Sequence, residues 1–181
     1  GNTRILTVGN GSADVDLNIN VPCTNGGLTK AGAGTLQLSA ASTYTGATTV
    51  TAGGLLINNR TNSGTGTGTV GIIGGFLGGT GTISGVLTVN SPGTLAPGNL
   101  ATLGKLSLGS EPILIGTNFL RIDRNGGAPR SDQLALQTGT LNYGGTLVVS
   151  NAGPALLGGE VFSLFNAPGY SGAFSATILP S

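Results

Sequence analysis

The tripeptide Gly-Thr-apolar occurs six times along this chain, and each copy opens a short run in which apolar and polar residues alternate. Glycine permits a sharp corner, and the β-branched threonine after it favours the start of a strand. Strands this short do not build a sandwich with long hairpins, whereas they suit a solenoid whose turns stack on one another. The six copies are Gly34-Thr35-Leu36, Gly68-Thr69-Val70, Gly81-Thr82-Ile83, Gly93-Thr94-Leu95, Gly139-Thr140-Leu141 and Gly145-Thr146-Leu147.

Composition agrees with a single all-β domain over residues 1–181. Charged residues make up 7% of the chain and the net charge is +1, which argues against nucleic acid as a partner. The 35 glycines follow no three-residue period, so a collagen triple helix is excluded. Thr, Val, Ile and Leu dominate between the glycines, and this composition favours strands over helices.

The sequence also carries expectations about compartment. No run approaches the eighteen apolar residues that a membrane helix needs, so we predict no membrane span. The chain starts at Gly1 and contains no Met, which is expected of a processed fragment of a secreted protein. Cys23 is the single cysteine, and we predict a small buried apolar residue near a strand end. The alternatives for Cys23 are an intermolecular disulfide and a reactive thiol.

Four segments follow one another in the sequence: residues 1–22, 28–58, 64–109 and 111–181. The first contains two alternating runs, at 4–8 and 14–21, which predict strands. The second reads Lys30-Ala31-Gly32-Ala33-Gly34-Thr35-Leu36-Gln37-Leu38-Ser39 and continues through Ser42-Thr43-Tyr44-Thr45-Gly46 to Ala52-Gly53 and Asn58. The third contains Gly78-Gly79-Thr80-Gly81-Thr82-Ile83 and Gly93-Thr94-Leu95-Ala96-Pro97-Gly98-Asn99.

These strings resemble the passenger-associated repeat of bacterial autotransporters and related secreted surface proteins. The resemblance is nearly position for position over about thirty residues and looser over much of the rest. It implies a right-handed parallel β-helix outside the cell, on the bacterial surface, with a scaffolding role. Residues 111–181 are similar to the closing turns of such proteins.

The residues that carry chemistry are few, and they predict a protein that is not an enzyme and binds no cofactor or metal. Histidine is absent, which removes the commonest general base and metal ligand. Asp14 and Asp16 are predicted to share one strand face, either as a solvated face or as half of a calcium or catalytic site. A second group of charges is predicted to be a surface loop around residues 126–129, with a carboxylate groove as the alternative. This group consists of Arg121, Asp123, Arg124, Arg130 and Asp132.

Aromatic residues concentrate at the end of the chain, where Phe162, Phe165, Tyr170 and Phe174 fall within the last twenty positions. Phenylalanine predominates and has no polar group, so we predict a core or terminal plug. The competing interpretation is a carbohydrate-binding platform, with Tyr143 or Tyr170 as the glycan contact.

Since a solenoid exposes an unpaired strand edge at each end, we predict that copies of this chain add head to tail into a surface fibre or layer. If a strand is exchanged, residues 2–21 are the expected donor. Rungs of roughly twenty residues predict about seven to nine turns and a length of about 35 to 45 Å. The predicted self-assembly residues are Arg4, Ile5, Leu6, Val8, Val15, Leu17, Ile19, Val21, Phe174, Ile178 and Leu179.

Two other functions stay open from the sequence. One is a passenger-type module of a larger adhesin that binds host or environmental surfaces. The other is a non-catalytic domain that binds extracellular glycans.

Overall fold

Short strands follow one another throughout the chain, and the longest in the described residues has seven residues. The computed structural model describes residues 1–125 and 128–180; Gly126 and Gly127, at the predicted charged loop, and Ser181 lie outside them. The described part contains no helix, and so none that is long and apolar enough to cross a membrane. In chain order the strands are β1 (Thr3–Thr7), β2 (Leu17–Ile19), β3 (Gly27–Ala31), β4 (Thr35–Leu38), β5 (Thr48–Val50), β6 (Gly54–Ile57), β7 (Val70–Ile72), β8 (Phe76–Gly79), β9 (Thr82–Ile83), β10 (Leu87–Val89), β11 (Thr94–Pro97), β12 (Lys105–Leu108), β13 (Ile113–Leu114), β14 (Thr117–Asp123), β15 (Arg130–Ser131), β16 (Gln133–Leu136), β17 (Thr140–Tyr143), β18 (Thr146–Asn151), β19 (Phe165–Asn166), β20 (Gly169–Gly172) and β21 (Ala176–Ile178).

These strands form stacked parallel sheets. Sheet A has the order β1-β3-β5-β7-β10-β13, and sheet B has the order β2-β4-β6-β8-β11-β14-β18-β21. Sheet C has the order β19-β16-β12-β9, and sheet D pairs β17 with β20. Within the described residues, β15 is the strand that departs from this pattern, because it pairs antiparallel with β14. The predicted all-β solenoid of short strands is therefore confirmed, while its right-handed sense stays a prediction.

One inward-facing column of leucines shows why the rungs, the successive turns of the solenoid, stack. Leu17 lies beside Leu36, Leu36 beside Leu55, Leu55 beside Leu77, and Leu77 beside Leu95. Leu36, Leu55 and Leu77 are completely buried. Because successive strand residues point to opposite faces, the residues next to each of these leucines along its strand line the outer face of sheet B. Burial of this column is the main stabilising contribution to the stack.

The rungs lengthen along the chain. Sheet B advances by nineteen residues between Leu36 and Leu55, and by thirty between Leu147 and Thr177. Sheet A stops at β13, and β17 of sheet D, which follows in the next rung, contacts β13. Eight parallel strands along sheet B fall within the predicted seven to nine turns. A rung length of about twenty residues describes the N-terminal part alone.

The Gly-Thr-apolar tripeptides occupy the predicted positions. Five of them open β4, β9, β11, β17 and β18 at the threonine, and the sixth opens β7 at Val70. The glycine requirement is clear at the corner before sheet B, where Gly53 and Gly75 have φ values of 64° and 67°. A Cβ atom at these two positions would meet the carbonyl oxygens of Gly34 and Gly53 in the preceding rung. Close stacking of corners therefore depends on glycine.

The predicted strand at 14–21 is shorter in the structure, where β2 covers Leu17–Ile19. Asp14 and Asp16 lie in the bend before it, so the prediction that they share a strand face is wrong. The Asp16 carboxylate accepts hydrogen bonds from the backbone N–H of Gly11 (2.6 Å) and Thr35 (2.7 Å). These bonds hold the chain in a turn and tie it to the second rung.

Candidate functional site

The predicted assembly residues near the N-terminus all lie in the first rung. Strand β1 pairs with β3, and β2 pairs with β4, so each leaves its other edge unpaired within the described residues. Arg4 Nη1 donates to the carbonyl oxygen of Asn25 (2.9 Å). Val8 is buried, Leu6, Val15 and Ile19 are half-buried, and Arg4, Ile5, Leu17 and Val21 are exposed.

The other three predicted residues lie in the last rung. Ile178 is 56% exposed and Leu179 is 65% exposed, whereas Phe174 packs against a second core formed by Leu120, Ile122, Leu147 and Val149. Strand β21 is the last strand of the sheet B path, just as β2 is the first. The structure thus places the two groups in the first and last rungs of the stack and does not bring them together within one chain.

Beside the first rung lies an apolar cavity of about 280 Å³. Leu6, Ile19, Leu28 and Tyr44 line it, and all four pack into the main core. Cys23 also lines this cavity as a half-buried free thiol. It lies in the loop between β2 and β3 rather than at a strand end, and its N–H donates to Ser42 Oγ (3.3 Å).

The charged group predicted around residues 126–129 contains three ion pairs. Arg121 Nε donates to Asp132 Oδ2 (2.7 Å), and Arg130 Nη2 donates to Asp123 Oδ2 (2.6 Å). Arg124 Nε lies 3.2 Å from Glu160 Oε1. The expected compensation of charges is present, but a surface position is wrong for Asp132, whose side chain is fully buried.

The Arg121–Asp132 pair holds a loop of the neighbouring rung, which explains why a carboxylate is buried here. Arg121 Nη1 donates to the carbonyl oxygen of Leu100 (2.9 Å). Its Nη2 donates to those of Asn99 (2.7 Å) and Thr102 (2.8 Å), as well as to Asp132 Oδ1 (3.1 Å). Both carboxylates of the group, Asp123 and Asp132, are thus engaged in ion pairs with arginine.

The aromatic residues at the end of the chain form one packed cluster. The ring centroids of Tyr143 and Phe165 lie 5.1 Å apart, and those of Tyr143 and Phe174 lie 4.8 Å apart. Tyr170 stacks on Tyr143 at 5.8 Å, and its hydroxyl accepts from the N–H of Ala167 (2.9 Å). Burial raises the pKa of the Tyr143 phenol, with a smaller contribution from Tyr170. The rings are used in packing, as the predicted core or plug requires.

Residues 1–125 and 128–180 contain no group of three or more His, Cys, Asp or Glu side chains that could hold a metal ion. The two acidic residues of the alternative calcium interpretation lie in different surroundings. Asp14 is exposed, whereas Asp16 accepts hydrogen bonds from the backbone of Gly11 and Thr35. The backbone hydrogen bonds from Thr35 and Gly11 lower the pKa of Asp16.

The most unusual side chain in the second rung is Lys30, which points into the solenoid and is fully buried. Its Nζ donates to the carbonyl oxygens of Ala31 (2.9 Å), Gly32 (2.8 Å) and Ala52 (3.1 Å). Ala52 lies in the following rung, so the ammonium group joins two successive corners. Burial lowers the pKa of Lys30, and the negative charge of Asp16 opposes this shift in part.

The segment that contains Lys30 is similar to a known family of repeats. Residues 28–57 match the Passenger-associated-transport-repeat family. A curated protein described as "Adhesin BmaC autotransporter", from Brucella suis biovar 1 (strain 1330), is 46% identical over 74 residues. This match covers 41% of the present chain and 2% of the relative, so the chain spans a very small part of that protein. No solved structure matches the chain significantly.

The resemblance to the passenger-associated repeat noted in the sequence is thereby confirmed, and the structure explains the repeat's polar positions. Tyr44 lies inside the core, where its hydroxyl lies 2.7 Å from Thr48 Oγ1, and burial raises its pKa to about 12. Gly46 stacks on Gly26, since a Cβ at Gly46 would meet the carbonyl oxygen of Gly26. Within this repeat, Tyr44 is therefore a core residue and Gly46 a corner residue.

Sequence reasoning missed Lys30 and Asp132 as buried charges. A signal for Lys30 existed, because strand alternation places it on the same face as Leu28, two residues earlier. Alternation likewise places Asp132 on the same face as Leu134 and Leu136, whereas its partners, Arg121 and the N–H of Gly104 (2.9 Å), come from other parts of the chain.

Proposed function

We propose that this chain is a passenger-type β-solenoid module of a bacterial surface adhesin, located outside the cell, with a structural and not a catalytic role. The observation that carries the proposal is that, among the described residues, the strands of the first and last rungs each have one unpaired edge next to apolar side chains of the core. Such ends are suited to receive further rungs of the same kind. The matched repeat and the adhesin relative support the compartment and the type of module.

The order of rungs supports a module within a larger solenoid rather than a uniform polymer. Along sheet B the last rung advances by thirty residues and the first by nineteen, from Leu17 to Leu36. The rungs at the two ends therefore differ in length. A second copy stacked on this one would not continue a uniform repeat.

The second candidate function is the head-to-tail fibre or layer, in which the chain is its own partner. It is favoured by the position of Ile178 and Leu179 at one end and of Leu17 and Ile19 at the other. Host surfaces and extracellular glycans are proposed partners of the adhesin module, and they do not distinguish the two candidates.

Light scattering after size-exclusion chromatography, combined with negative-stain electron microscopy over a dilution series, separates the candidates. An adhesin module gives dispersed short rods with the mass of one chain at every concentration. Unbranched fibres with a regular axial repeat would contradict it and support the second candidate. If fibres form, the pair of substitutions Ile178→Lys and Leu179→Lys should abolish them, while Ile73→Lys, at an exposed lateral site, should not.

The adhesive role itself is tested on cells. Bacteria that display the chain on their surface should attach to coated host-matrix surfaces better than bacteria that display an unrelated domain of equal length. Equal attachment of the two strains would contradict adhesion while leaving the solenoid module intact.

A further inference from the structure

A lateral pocket of about 560 Å³ lies on the outer face of sheet B, in the middle of the stack. We define it by six of its lining residues: Leu56, Phe76, Ala96, Asn99, Leu100 and Phe119. These come from β6, β8, β11, β14 and the loop after β11, so neither end rung takes part. Its volume is in the range of pockets that bind small molecules.

The two sequence strings of the third segment build this pocket. Gly79 and Gly98 form an antiparallel bridge, in which the Gly79 N–H donates to the Gly98 carbonyl (2.6 Å) and the Gly98 N–H donates to that of Gly79 (2.9 Å). The bridge turns residues 98–104 back over β8. A Cβ at Gly78 would meet the carbonyl oxygen of Ala96, so glycine allows this close approach.

The loop of residues 98–104 contributes Gly98, Asn99 and Leu100 to the pocket, and hydrogen bonds from outside the loop hold it in place. Arg121 bonds the carbonyl oxygens of Asn99, Leu100 and Thr102, and Asp132 in turn bonds Arg121 and the N–H of Gly104 (2.9 Å). The Asn99 N–H also donates to the Thr102 carbonyl (3.0 Å). A wall held in this way loses little conformational entropy on binding.

The chemistry of the pocket restricts its ligand. Arg121 lines it, but its charge is balanced by Asp132 at 2.7 Å, so the site attracts no particular ionic charge. The side-chain Oδ1 of Asn99 is buried and has no hydrogen-bond partner among the described residues. A buried acceptor without a partner is unusual and calls for an O–H or N–H donor. Phe76 and Phe119 add two aromatic rings.

We propose that the lateral pocket binds an uncharged ring that has an apolar face and one or two hydroxyl groups. The apolar face packs against Phe76 and Phe119. A hydroxyl donates to Asn99 Oδ1 after the Asn99 side chain turns towards the pocket, because Oδ1 is buried in the ligand-free chain. Deoxyhexose units of glycans and simple phenols share this chemistry. A fully hydroxylated hexose fits less well, because the pocket has too few polar groups to pair all of its hydroxyls, and each unpaired one is costly.

This inference does not rest on the proposed function, because the pocket leaves both end rungs free. Ligand-observed NMR and titration calorimetry on the whole chain give the test, with methyl fucoside, methyl rhamnoside, methyl glucoside and 4-methylphenol as separate probes. We expect the deoxyhexosides or the phenol to bind more tightly than methyl glucoside. Tighter binding of a deoxyhexoside identifies the ring as part of a glycan, and tighter binding of 4-methylphenol identifies it as a phenol.

Two variants connect binding to the pocket, and a third is the control. Asn99→Ala and Phe119→Ala should each weaken binding by about tenfold, which corresponds to about 1.4 kcal/mol. Ile113→Ala, which removes an exposed side chain from sheet A, should leave it unchanged. Circular dichroism and thermal melting confirm that each variant is folded. No binding by any of the four probes, or equal binding by wild type and both pocket variants, would overturn the proposal.

Discussion

At the residue scale, this low-charge protein buries three of its few charges, and two of them, Lys30 and Asp132, are completely buried. Lys30 lies among three carbonyl oxygens of two corners, and Asp132 lies between Arg121 and a backbone N–H. A buried charge is tolerated only when it is paired or hydrogen-bonded. Each of these side chains therefore has its hydrogen-bond partners only when the neighbouring rungs are correctly stacked.

Replacing Lys30 tests this interpretation. We expect Lys30→Met to lower the free energy of unfolding by about 1 to 3 kcal/mol at neutral pH, because the carbonyl oxygens lose a buried donor. Lys105→Met is the matched control, since Lys105 is exposed on β12 and its loss should be nearly neutral. Urea unfolding measures both. A Lys30→Met protein as stable as the wild type would show that the ammonium group does not stabilise the corners.

The same pair of proteins carries a pH dependence with a definite sign. Burial lowers the pKa of Lys30 below its ordinary value of 10.5, so the folded chain releases this proton before the unfolded chain does. As pH rises towards 10.5, the wild type should gain stability relative to Lys30→Met. The difference between the two proteins should stop growing above pH 10.5. A difference that shrinks through this window would contradict the assigned direction.

At the element scale, the loop of residues 98–104 depends on a side chain from β14 rather than on its own packing. Arg121 bonds three of its carbonyl oxygens and retains 16% side-chain exposure. Loops that lack such bonds exchange their amide hydrogens quickly. The order of this loop, and hence of the lateral pocket, follows from the Arg121–Asp132 pair.

Asp132→Asn removes the charge partner without changing the size of the side chain. We expect a loss of about 3 kcal/mol, the lower end of the range for breaking a buried ion pair, because Arg121 keeps some contact with water. Hydrogen exchange at the amides of residues 98–104 should also become faster. Arg130→Ala is the control, since its more exposed pair with Asp123 should contribute less than about 1 kcal/mol. If hydrogen exchange at residues 98–104 is unchanged in Asp132→Asn, the ion pair does not determine the order of this loop.

At the scale of the whole molecule, the sequence predicts the architecture well and the fine geometry poorly. Alternation after each Gly-Thr pair identified the strands, because local rules determine where a strand starts. The lengthening from Leu36–Leu55 to Leu147–Thr177 was not predicted, since it depends on which strands pair across rungs. The inward positions of Lys30 and Asp132 were both accessible from alternation, whereas their hydrogen-bond partners required contacts between residues far apart in sequence.

The candidate functional residues were also predicted only in part. The proposed interface residues lie in the first and last rungs, as chain order requires, and their role in self-assembly stays a prediction. Sequence reasoning did not find the lateral pocket. Asn99 and Phe119 are twenty positions apart, and the bridge between Gly79 and Gly98 that creates the pocket wall leaves no periodic signal in the sequence.

The unequal rungs also determine how this protein should respond to mechanical force. The hydrogen bonds of every sheet join one rung to the next, so tension between the two ends loads them along their own direction and peels rungs away singly. A nineteen-residue rung releases up to about 65 Å of extended chain, and a thirty-residue rung releases about 100 Å. Optical-tweezer traces should therefore show two classes of extension step, short from the N-terminal part and long from the C-terminal part. Under shear on a surface, such a tether would lengthen in increments and keep its remaining rungs folded.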